Sequence, residues 1–367
     1  MADPRLTSLA RVLVNYSLKV KKGEWVQIEG PYIAQDLIRA AYAQVLAVGG
    51  NPTLRVSIPG TRHHFFKHAG VDQLKFVSPL DKLLFKKVDK LLFVRGDWNT
   101  KDMTAIDPKR VAMAQKARQS LFHTLLERTA RQEASWVLTE YPTHSAAQDA
   151  EMSLADYEDF VYGAGMVEKA DPVGEWRKVA QRQGKLARFL GTLKTIRIVG
   201  LDTDLTLRVD HRPWVSCDGK ANFPDGEIFT SPLETATEGH IRYTFPAVYS
   251  GREVHDVRLT FKQGAVVKAT AAKGEDLLRS MLDTDPGARR VGELSFGTNY
   301  SIKRFVKNTL FDEKIGGTMH LAVGQSLPDS HGKNRSAIHW DMVCDTRKGF
   351  TIYGDGKPIQ RNGKFLV

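Results

Sequence analysis

Residues 24–58 have the sequence EWVQIEGPYIAQDLIRAAYAQVLAVGGNPTLRVSI, and this segment decides the fold of the first half of the chain. The alternation of apolar and polar residues in EWVQIEG is typical of a short strand. A helix is predicted in AQDLIRAAYAQVLAVGG, which ends at two glycines, and the next strand is PTLRVSI. Because two sheet strands joined by a helix run parallel, the segment predicts a parallel sheet with crossover helices.

Helix and strand patterns alternate on both sides of this segment. A helix is predicted before it in RLTSLARVLVNY. A strand, a long helix and a further strand are predicted after it in KLLFVRG, PKRVAMAQKARQSLFHTLLERTARQ and SWVLTEYP. We therefore expect residues 1–192 to form an α/β domain with a doubly wound, mainly parallel sheet. This half contains neither GxGxxG nor GxxxxGK[ST], so no nucleotide-binding loop is predicted.

The pattern changes at about Thr195. Short strand-like segments follow one another there without crossover helices, and they include TIRIVG, VGELSFG, TMHLAVG and IHWDMVC. We expect residues 193–367 to form an α+β domain with a mainly antiparallel sheet.

The composition is that of an ordinary globular protein, with 42% hydrophobic and 26% charged residues. The two cysteines, Cys217 and Cys344, predict neither a disulfide framework nor a thiolate metal cluster. No apolar run approaches the roughly 18 residues that span a bilayer, and the N-terminus lacks a secretory pattern. We therefore expect a cytoplasmic protein without a membrane partner. The net charge of +11 is spread along the chain without a nucleic-acid motif, so no nucleic-acid partner is expected.

Four segments of the second half each place acidic or imidazole side chains among apolar neighbours. They are NFPDGEIFTSP with Glu227, VGELSFG with Glu293, GTMHLAVG with His320, and AIHWDMV with His339 and Asp341. In a strand, residues two apart share a face, so His339 and Asp341 are predicted to point the same way. Their apolar neighbours are predicted to point into the core: Ile338, Trp340 and Met342.

Each of these signals taken alone has an ordinary structural interpretation. Glu293 is alternatively a surface residue at a strand end, and His320 is alternatively a core histidine with satisfied hydrogen bonds. The His-x-Asp pair is alternatively solvent-facing, and PDGE is alternatively a hairpin turn. Taken together, two imidazoles and three carboxylates suit Zn, Co or Mn, and three carboxylates are enough for one to bridge two cations.

Four motifs also occur in the order of a known family: NFPDGEIFTSP, GELSFGTN, LFDEKIGGTMHLAVG and IHWDM. With these motifs and its N-terminal LARVLVNYSLKVKKGEWVQIEGP, the chain resembles the aminopeptidase T / aminopeptidase S family of thermophilic-type dinuclear metallo-aminopeptidases. The resemblance implies two divalent cations per subunit (Zn, Co or Mn), peptide substrates with a free N-terminus, and a homodimer whose active sites face an internal cavity. It also implies a set of metal ligands: Glu227, Glu293, His320, His339 and Asp341.

The expected reaction is removal of N-terminal residues from peptides by a water that bridges the two cations. A carboxylate is expected to carry a proton to the leaving amine, and the sequence leaves Glu293 and Glu313 as the candidates. Glu313 is alternatively a surface residue paired with Lys314. Thr230 and Ser231 are candidates to orient a ligand carboxylate, or alternatively ordinary turn residues.

The sequence departs from the family pattern at Leu327, where the family has a tyrosine after the first histidine motif. His331 and Lys333 are the nearby polar residues that would replace the phenol. The departure keeps open a metal-dependent hydrolase of another substrate class on the same scaffold. A second alternative, suggested by the net charge, is a non-enzymatic basic binding protein.

Overall fold

The computed structural model describes residues 3–249 and 251–367. Its internal contacts divide the chain into two compact units. The first unit comprises the residues up to Glu175 together with Gly219–Phe223, and the second comprises Trp176–Asp218 and Pro224–Val367.

The secondary structure follows the predicted change of pattern along the chain. Helices and strands alternate first: α1 (Pro4–Val12, continued by a π-helical turn, Leu13–Ser17), β1 (Trp25–Pro31), a 3₁₀ turn (Tyr32–Ala34), α2 (Gln35–Ala47), β2 (Asn51–Ser57), α3 (Thr61–His68), α4 (Val71–Lys75), α5 (Pro79–Lys87), β3 (Lys90–Arg95), α6 (Pro108–Ala130), β4 (Ser135–Glu140), α7 (His144–Asp149), α8 (Leu154–Ala164) and α9 (Pro172–Leu190). Strands then dominate: β5 (Thr195–Gly200), β6 (Thr203–Arg208), β7 (Val215–Cys217), β8 (Asn222–Phe223), β9 (Glu227–Thr230), β10 (Thr237–Arg242), β11 (Ala247–Tyr249), β12 (Arg252–Val254), β13 (Arg258–Lys262), β14 (Ala265–Thr270), α10 (Glu275–Leu282), β15 (Val291–Gly297), α11 (Thr309–Asp312), β16 (Met319–Gly324), a 3₁₀ turn (Pro328–Ser330), β17 (His339–Cys344), β18 (Thr351–Gly354), β19 (Lys357–Arg361) and β20 (Lys364–Phe365).

The sheet of the first unit is parallel, in the order β2-β1-β3-β4-β8. The chain adds β2 on one side of β1 and then returns to add β3 on the other side, which is the doubly wound arrangement. Val26, Ile28, Leu91 and Leu92 on the central strands are fully buried. The predicted α/β fold of this half is therefore confirmed.

Three helices of the first unit begin in the same way. A Ser or Asp side chain accepts a hydrogen bond from a backbone N–H of the first turn, and a proline follows directly. These residues are Asp3 before α1, Ser78 before α5 and Asp107 before α6. The side chain pairs an N–H that the helix cannot pair itself, and the proline has no N–H to leave unpaired. The sequence thus fixes these helix starts locally.

The second unit is built on antiparallel sheets, which confirms the predicted fold of the second half. Eight strands follow the order β14-β13-β10-β6-β5-β18-β19-β20, β11 pairs with β12, and five strands follow the order β17-β16-β15-β9-β7. The strand pairs of the five-stranded sheet are all antiparallel.

The five-stranded sheet has one apolar face, and that face forms part of the hydrophobic core. The residues pointing that way are buried: Ile228, Leu294, Phe296, Met319, Leu321, Val323, Trp340 and Met342. The prediction that Ile338, Trp340 and Met342 lie in the core is confirmed. Because side chains alternate across a sheet, the residues between these apolar positions lie together on the opposite face.

Candidate metal centre

The register of the sheet places the predicted ligands on that opposite face. Glu293 on β15 and Asp341 on β17 both pair with Ala322 on β16. His320 lies two residues before Ala322, and His339 lies two residues before Asp341, so both imidazoles share the face of the two carboxylates. Residues that pair directly across neighbouring strands also share a face. Small residues stand opposite the candidate ligands at three positions: Gly297, Ala322 and Gly324. The small side chains leave room between the larger polar ones.

The turn before β9 fixes how the chain enters Glu227. Gly226 has φ +129°, a backbone conformation that residues with a side chain rarely adopt. A Cβ at this position would lie 2.5 Å from Cβ of Asn299, whose Nδ2 donates to the carbonyl of Asp225 at 2.9 Å. The rigid turn expected from PDGE is present, and Glu227 at its end is buried rather than exposed at a hairpin tip.

His320 lies at the centre of the carboxylates and is fully buried. Its Nε2 is 3.3 Å from Oε1 of Glu293, 3.4 Å from Oε2 of Glu227 and 4.0 Å from Oδ1 of Asp341. Burial alone lowers the pKa of this imidazole, but the surrounding carboxylates raise it to about 9. The residue is therefore not an ordinary core histidine, because its neighbours on this face are charged.

His339 has one ring nitrogen held by the backbone and the other directed at the cluster. Its Nδ1–H donates to the carbonyl of Gln325 at 2.7 Å. Nε2 is then 3.4 Å from Oδ1 of Asp341 and 3.5 Å from Oε2 of Glu293. A backbone partner on Nδ1 is the usual way in which a protein orients a metal-binding histidine.

Glu293 divides its two oxygens between the two histidines. Oε1 faces His320 and Oε2 faces His339, so this carboxylate belongs to two clusters of three candidate ligands. The first cluster contains Glu227, Glu293 and His320, and the second contains Glu293, His339 and Asp341. The Glu293 carboxylate therefore links the two clusters.

The separations between donor atoms fit a transition-metal site. Two donors that bind one cation tetrahedrally at about 2.0–2.2 Å lie about 3.3–3.6 Å apart. Four of the five imidazole–carboxylate separations given above are 3.3, 3.4, 3.4 and 3.5 Å, and the fifth, between His320 and Asp341, is 4.0 Å. These values are longer than good hydrogen bonds, so the observed donor set fits divalent cations better than it fits a closed hydrogen-bond network.

The acidic residues of the site have unequal proton affinities. Burial raises the pKa of Glu293, and it raises the pKa of Glu313 well above the ordinary value. Burial also acts on Asp341, but the hydrogen bond and charge of His339 lower its pKa far below the ordinary value. Neighbouring carboxyl groups on this face thus have pKa values shifted in opposite directions, which is the arrangement that acid–base chemistry requires.

Glu313 and Lys314 form an ion pair, but the pair is not on the surface. Nζ of Lys314 is 2.5 Å from Oε2 of Glu313, and both residues are buried. Glu313 also forms a cluster of candidate ligands with His320 and Asp341. The alternative of a surface pair is therefore wrong, because the chain turns inward between α11 and β16.

The two residues expected to orient a ligand carboxylate, Thr230 and Ser231, have other hydrogen-bond partners. Thr230 donates to the carbonyl of Pro213, and Ser231 donates to the carbonyl of Gly292, so neither binds a ligand carboxylate in this way. Ser295 does so instead, because its Oγ is 3.1 Å from Oε2 of Glu227. The strand period of two could have identified Ser295, which lies two residues after Glu293 in the same strand and so shares its face.

Arg212 helps to hold the loop that carries Leu327. Arg212 donates to the backbone carbonyl of His331 and, at 2.8 and 2.9 Å, to both carboxylate oxygens of Glu234. The side chains of His331 and Lys333 are exposed, and neither belongs to the ligand clusters. Leu327 itself is half-buried.

A thiol also approaches the site. Cys217 lies in a cluster with Asp225 and Glu227. Burial raises the pKa of the Cys217 thiol well above its ordinary value, which keeps the sulfur protonated at neutral pH.

Comparison with known proteins decides the family. Residues 2–365 match the thermophilic metalloprotease (M29) family. The chain belongs to this family. Membership confirms the predicted aminopeptidase T / aminopeptidase S resemblance and the prediction of a metal-dependent hydrolase of peptide bonds. It favours an enzyme over the non-enzymatic binding protein.

Relatives of this M29 protein carry aminopeptidase names. Aminopeptidase 2 of Geobacillus stearothermophilus is 29% identical over 71% of this chain and 72% of its own length. Aminopeptidase T of Thermus thermophilus is 24% identical over 99% of this chain and 98% of its own. The solved structure of wild-type AmpT from Thermus thermophilus matches the fold with a TM-score of 0.86 at 23% identity, over 99% of both chains.

Two further expectations concern the metal and the membrane. The family is one of metalloproteases, and the clustered acidic and imidazole side chains are suited to divalent cations. Among the helices of the part that the structure describes, none is both long and apolar enough to cross a membrane.

Proposed function

We propose that this M29 protein is a dinuclear aminopeptidase that removes N-terminal residues from peptides. The observation that carries the proposal is the position of Glu293, whose two oxygens face two different histidines. One cation would be held by Glu227, Glu293 and His320, and the other by Glu293, His339 and Asp341. All of these residues lie in the proposed catalytic domain, residues 193–367.

Two divalent cations, proposed as Zn, Co or Mn, would polarise the substrate carbonyl and would supply a nucleophile derived from water at neutral pH. The protein side chains orient the substrate and move the protons. Asp341, whose pKa is lowered by His339, would stay ionised and add negative charge where the substrate N-terminus binds. Both oxygens of Glu293 are directed at imidazoles, so Glu313 is the proposed proton donor. Burial raises the pKa of its carboxyl, so Glu313 would take up a proton during the reaction and pass it to the leaving amine.

A hydrolase of another substrate class is the second candidate, and Leu327 favours it. This side chain offers no hydrogen-bond donor where the family pattern has a phenol, and a donor at such a position stabilises an oxyanion. An ester needs less of this stabilisation than an amide does. The two candidates therefore differ in substrate and share the metal centre.

The test combines metal analysis with substrate comparison. Protein purified without chelator is analysed for bound metal and assayed on aminoacyl anilides, their N-acetylated forms and simple esters, with Zn, Co or Mn added. We expect two equivalents of metal and hydrolysis that requires a free amine. Hydrolysis of esters alone supports the second candidate, and equal hydrolysis of N-acetylated anilides contradicts an aminopeptidase.

Substitution of the ligands gives the decisive control. The double variant Glu227→Ala/His339→Ala is expected to lose bound metal and to lose activity by a factor of about 100 or more. The matched control is His123→Ala/Glu127→Ala, which removes an exposed pair of the same residue types on α6. Unchanged metal content and activity in the ligand variant would refute the proposal.

The family resemblance also supports a cytoplasmic homodimer as part of the proposal. Sedimentation of the purified protein over a range of concentrations measures the oligomeric state directly. A monomer at micromolar concentration would contradict it.

A further inference from the structure

Lys314 is the most buried lysine or arginine side chain in residues 3–249 and 251–367. It is 1% exposed, whereas Arg212 is 7% exposed and Arg128 is 9% exposed. A buried ammonium group costs several kcal/mol unless charged partners surround it. Lys314 has such partners, because its Nζ lies 2.5 Å from Oε2 of Glu313 and 3.3 Å from Oε1 of Glu227.

The contact with Lys314 fixes the rotation of the Glu227 carboxylate. Oε1 is engaged by the ammonium, and Oε2 accepts a hydrogen bond from Ser295 while facing His320 at 3.4 Å. Each oxygen therefore has a separate role, and Oε2 is the oxygen directed into the donor set. Without the ammonium, Oε1 would lose its charged partner and the carboxylate would be free to turn.

The same ammonium also restrains Glu313. Oε2 of Glu313 is held by Lys314, and Glu313 lies in one cluster of candidate ligands with His320 and Asp341. Lys314 thus connects two acidic residues that lie in different ligand clusters and on different segments of the chain. Nothing in the family's ligand set accounts for this buried lysine.

We propose that Lys314 is a positioning residue that holds Glu227 and Glu313 in the orientation that the cation site requires. The inference rests on the proposed function, because it concerns the same site. Loss of a hydrogen-bonded partner of a metal ligand typically weakens metal binding by about 10–100-fold. A fixed positive charge also repels a cation, and that effect has the opposite sign in the measured affinity. If Lys314 positions the two carboxylates, its loss weakens metal binding. If it only supplies positive charge, its loss strengthens metal binding.

The experiment titrates metal-free full-length protein with Zn²⁺ by calorimetry. Lys314→Met keeps the length of the side chain and removes its charge and donors, and we expect its dissociation constant to rise about 10–100-fold. Lys262→Met makes the same substitution at an exposed site, and it is expected to bind like the wild type. An unchanged or lower dissociation constant in Lys314→Met overturns the inference.

Circular dichroism of the metal-free proteins checks that each variant folds. If Lys314→Met does not fold, Lys314→Gln is titrated instead. Its shorter side chain reaches only one of the two carboxylates, so binding weakened at least about tenfold is expected and unchanged or tighter binding overturns the inference. Wild-type protein that binds none of Zn²⁺, Co²⁺ and Mn²⁺ in the same titration would contradict the proposed function itself. Wild-type binding with no change in the variants would contradict only the role of Lys314.

Discussion

Individual residues set the geometry of the site through a few close contacts. Gly226 adopts a conformation that only glycine tolerates and lies against the Asn299 side chain. Nδ1–H of His339 is held by one backbone carbonyl, which leaves Nε2 for the cluster. The polar groups are therefore oriented before any cation binds, which reduces the ordering cost of binding.

We expect Gly226→Ala to lower the free energy of unfolding by about 2–4 kcal/mol, the sum of backbone strain and steric overlap. The substitution is also expected to weaken metal binding, because Glu227 is the next residue. Gly349→Ala is the matched control, since Gly349 has φ +74° but no atom within 4 Å of the added Cβ. The control is expected to lose only about 1 kcal/mol. Urea unfolding measures the free energy of unfolding of both variants. Equal losses in Gly226→Ala and Gly349→Ala would contradict the role of the Asn299 contact.

At the scale of the element, strand alternation divides the chemistry from the core. The even-numbered residues Leu294 and Phe296 of β15 enter the core, whereas Glu293 and Ser295 face the site. On β16 the parity is opposite, because the antiparallel register pairs Ser295 with His320. A one-residue slip of either strand would bury carboxylates in an apolar core, so the register is strongly specified.

Glu234 is one of the residues that hold the loop after β16, through Arg212 and the backbone N–H of Lys333. Burial raises the pKa of this carboxyl, but the backbone N–H of Lys333 and the guanidinium of Arg212 together lower it below its ordinary value of 4.5. The unfolded chain therefore takes up this proton first on acidification. The stability that Glu234 contributes is present above the ordinary pKa and is lost as the pH falls through the lower pKa of the folded state.

We expect Glu234→Gln to be less stable than the wild type at pH 7, with the difference shrinking between about pH 5 and pH 3. Urea midpoints measured across this range test the expectation. Glu238→Gln, at an exposed carboxylate, is the control, and its curve is expected to run parallel to that of the wild type. A difference between Glu234→Gln and wild type that stays constant with pH would show that the Arg212 contact does not depend on charge.

At the scale of the whole molecule, the net charge of +11 coexists with a cluster of carboxylates in the second unit. Each acidic residue of that cluster is stabilised by an imidazole, an ammonium or a hydroxyl group in the present structure. Divalent cations would add charge neutralisation that the protein supplies only in part, so metal binding and stability are coupled.

Removal of metal is therefore expected to lower the melting temperature. Free cation at about 100–1,000 times its dissociation constant stabilises the folded state by about 2.7–4.1 kcal/mol. Calorimetric melting of the protein before and after chelation, and after return of Zn²⁺, measures the effect. The Glu227→Ala/His339→Ala variant is expected not to respond to the chelator. A wild-type protein that is equally stable with and without metal would contradict the coupling.

The sequence by itself determined the fold class and which residues share a strand face. Apolar periodicity near 3.6 or 2 is a local property, so the change near Thr195 from alternating helices and strands to strands alone was readable. The same period of two placed His339 with Asp341 and turned Trp340 into the core. The proposed domain boundary between residues 192 and 193 stays a prediction. The short segment Gly219–Phe223 lies after that boundary in the sequence but belongs to the first compact unit.

Only the tertiary structure decided how the groups meet. The division of the Glu293 oxygens between two histidines depends on the register of three strands, which no single segment encodes. The burial of Glu313 and Lys314 depends on how the turn after α11 packs, and a sequence pattern cannot tell that pair from a solvated one. Distances between distant segments are set by the packing of the whole unit. The sequence could therefore name the candidate ligands, and the structure was needed to show that they lie close together.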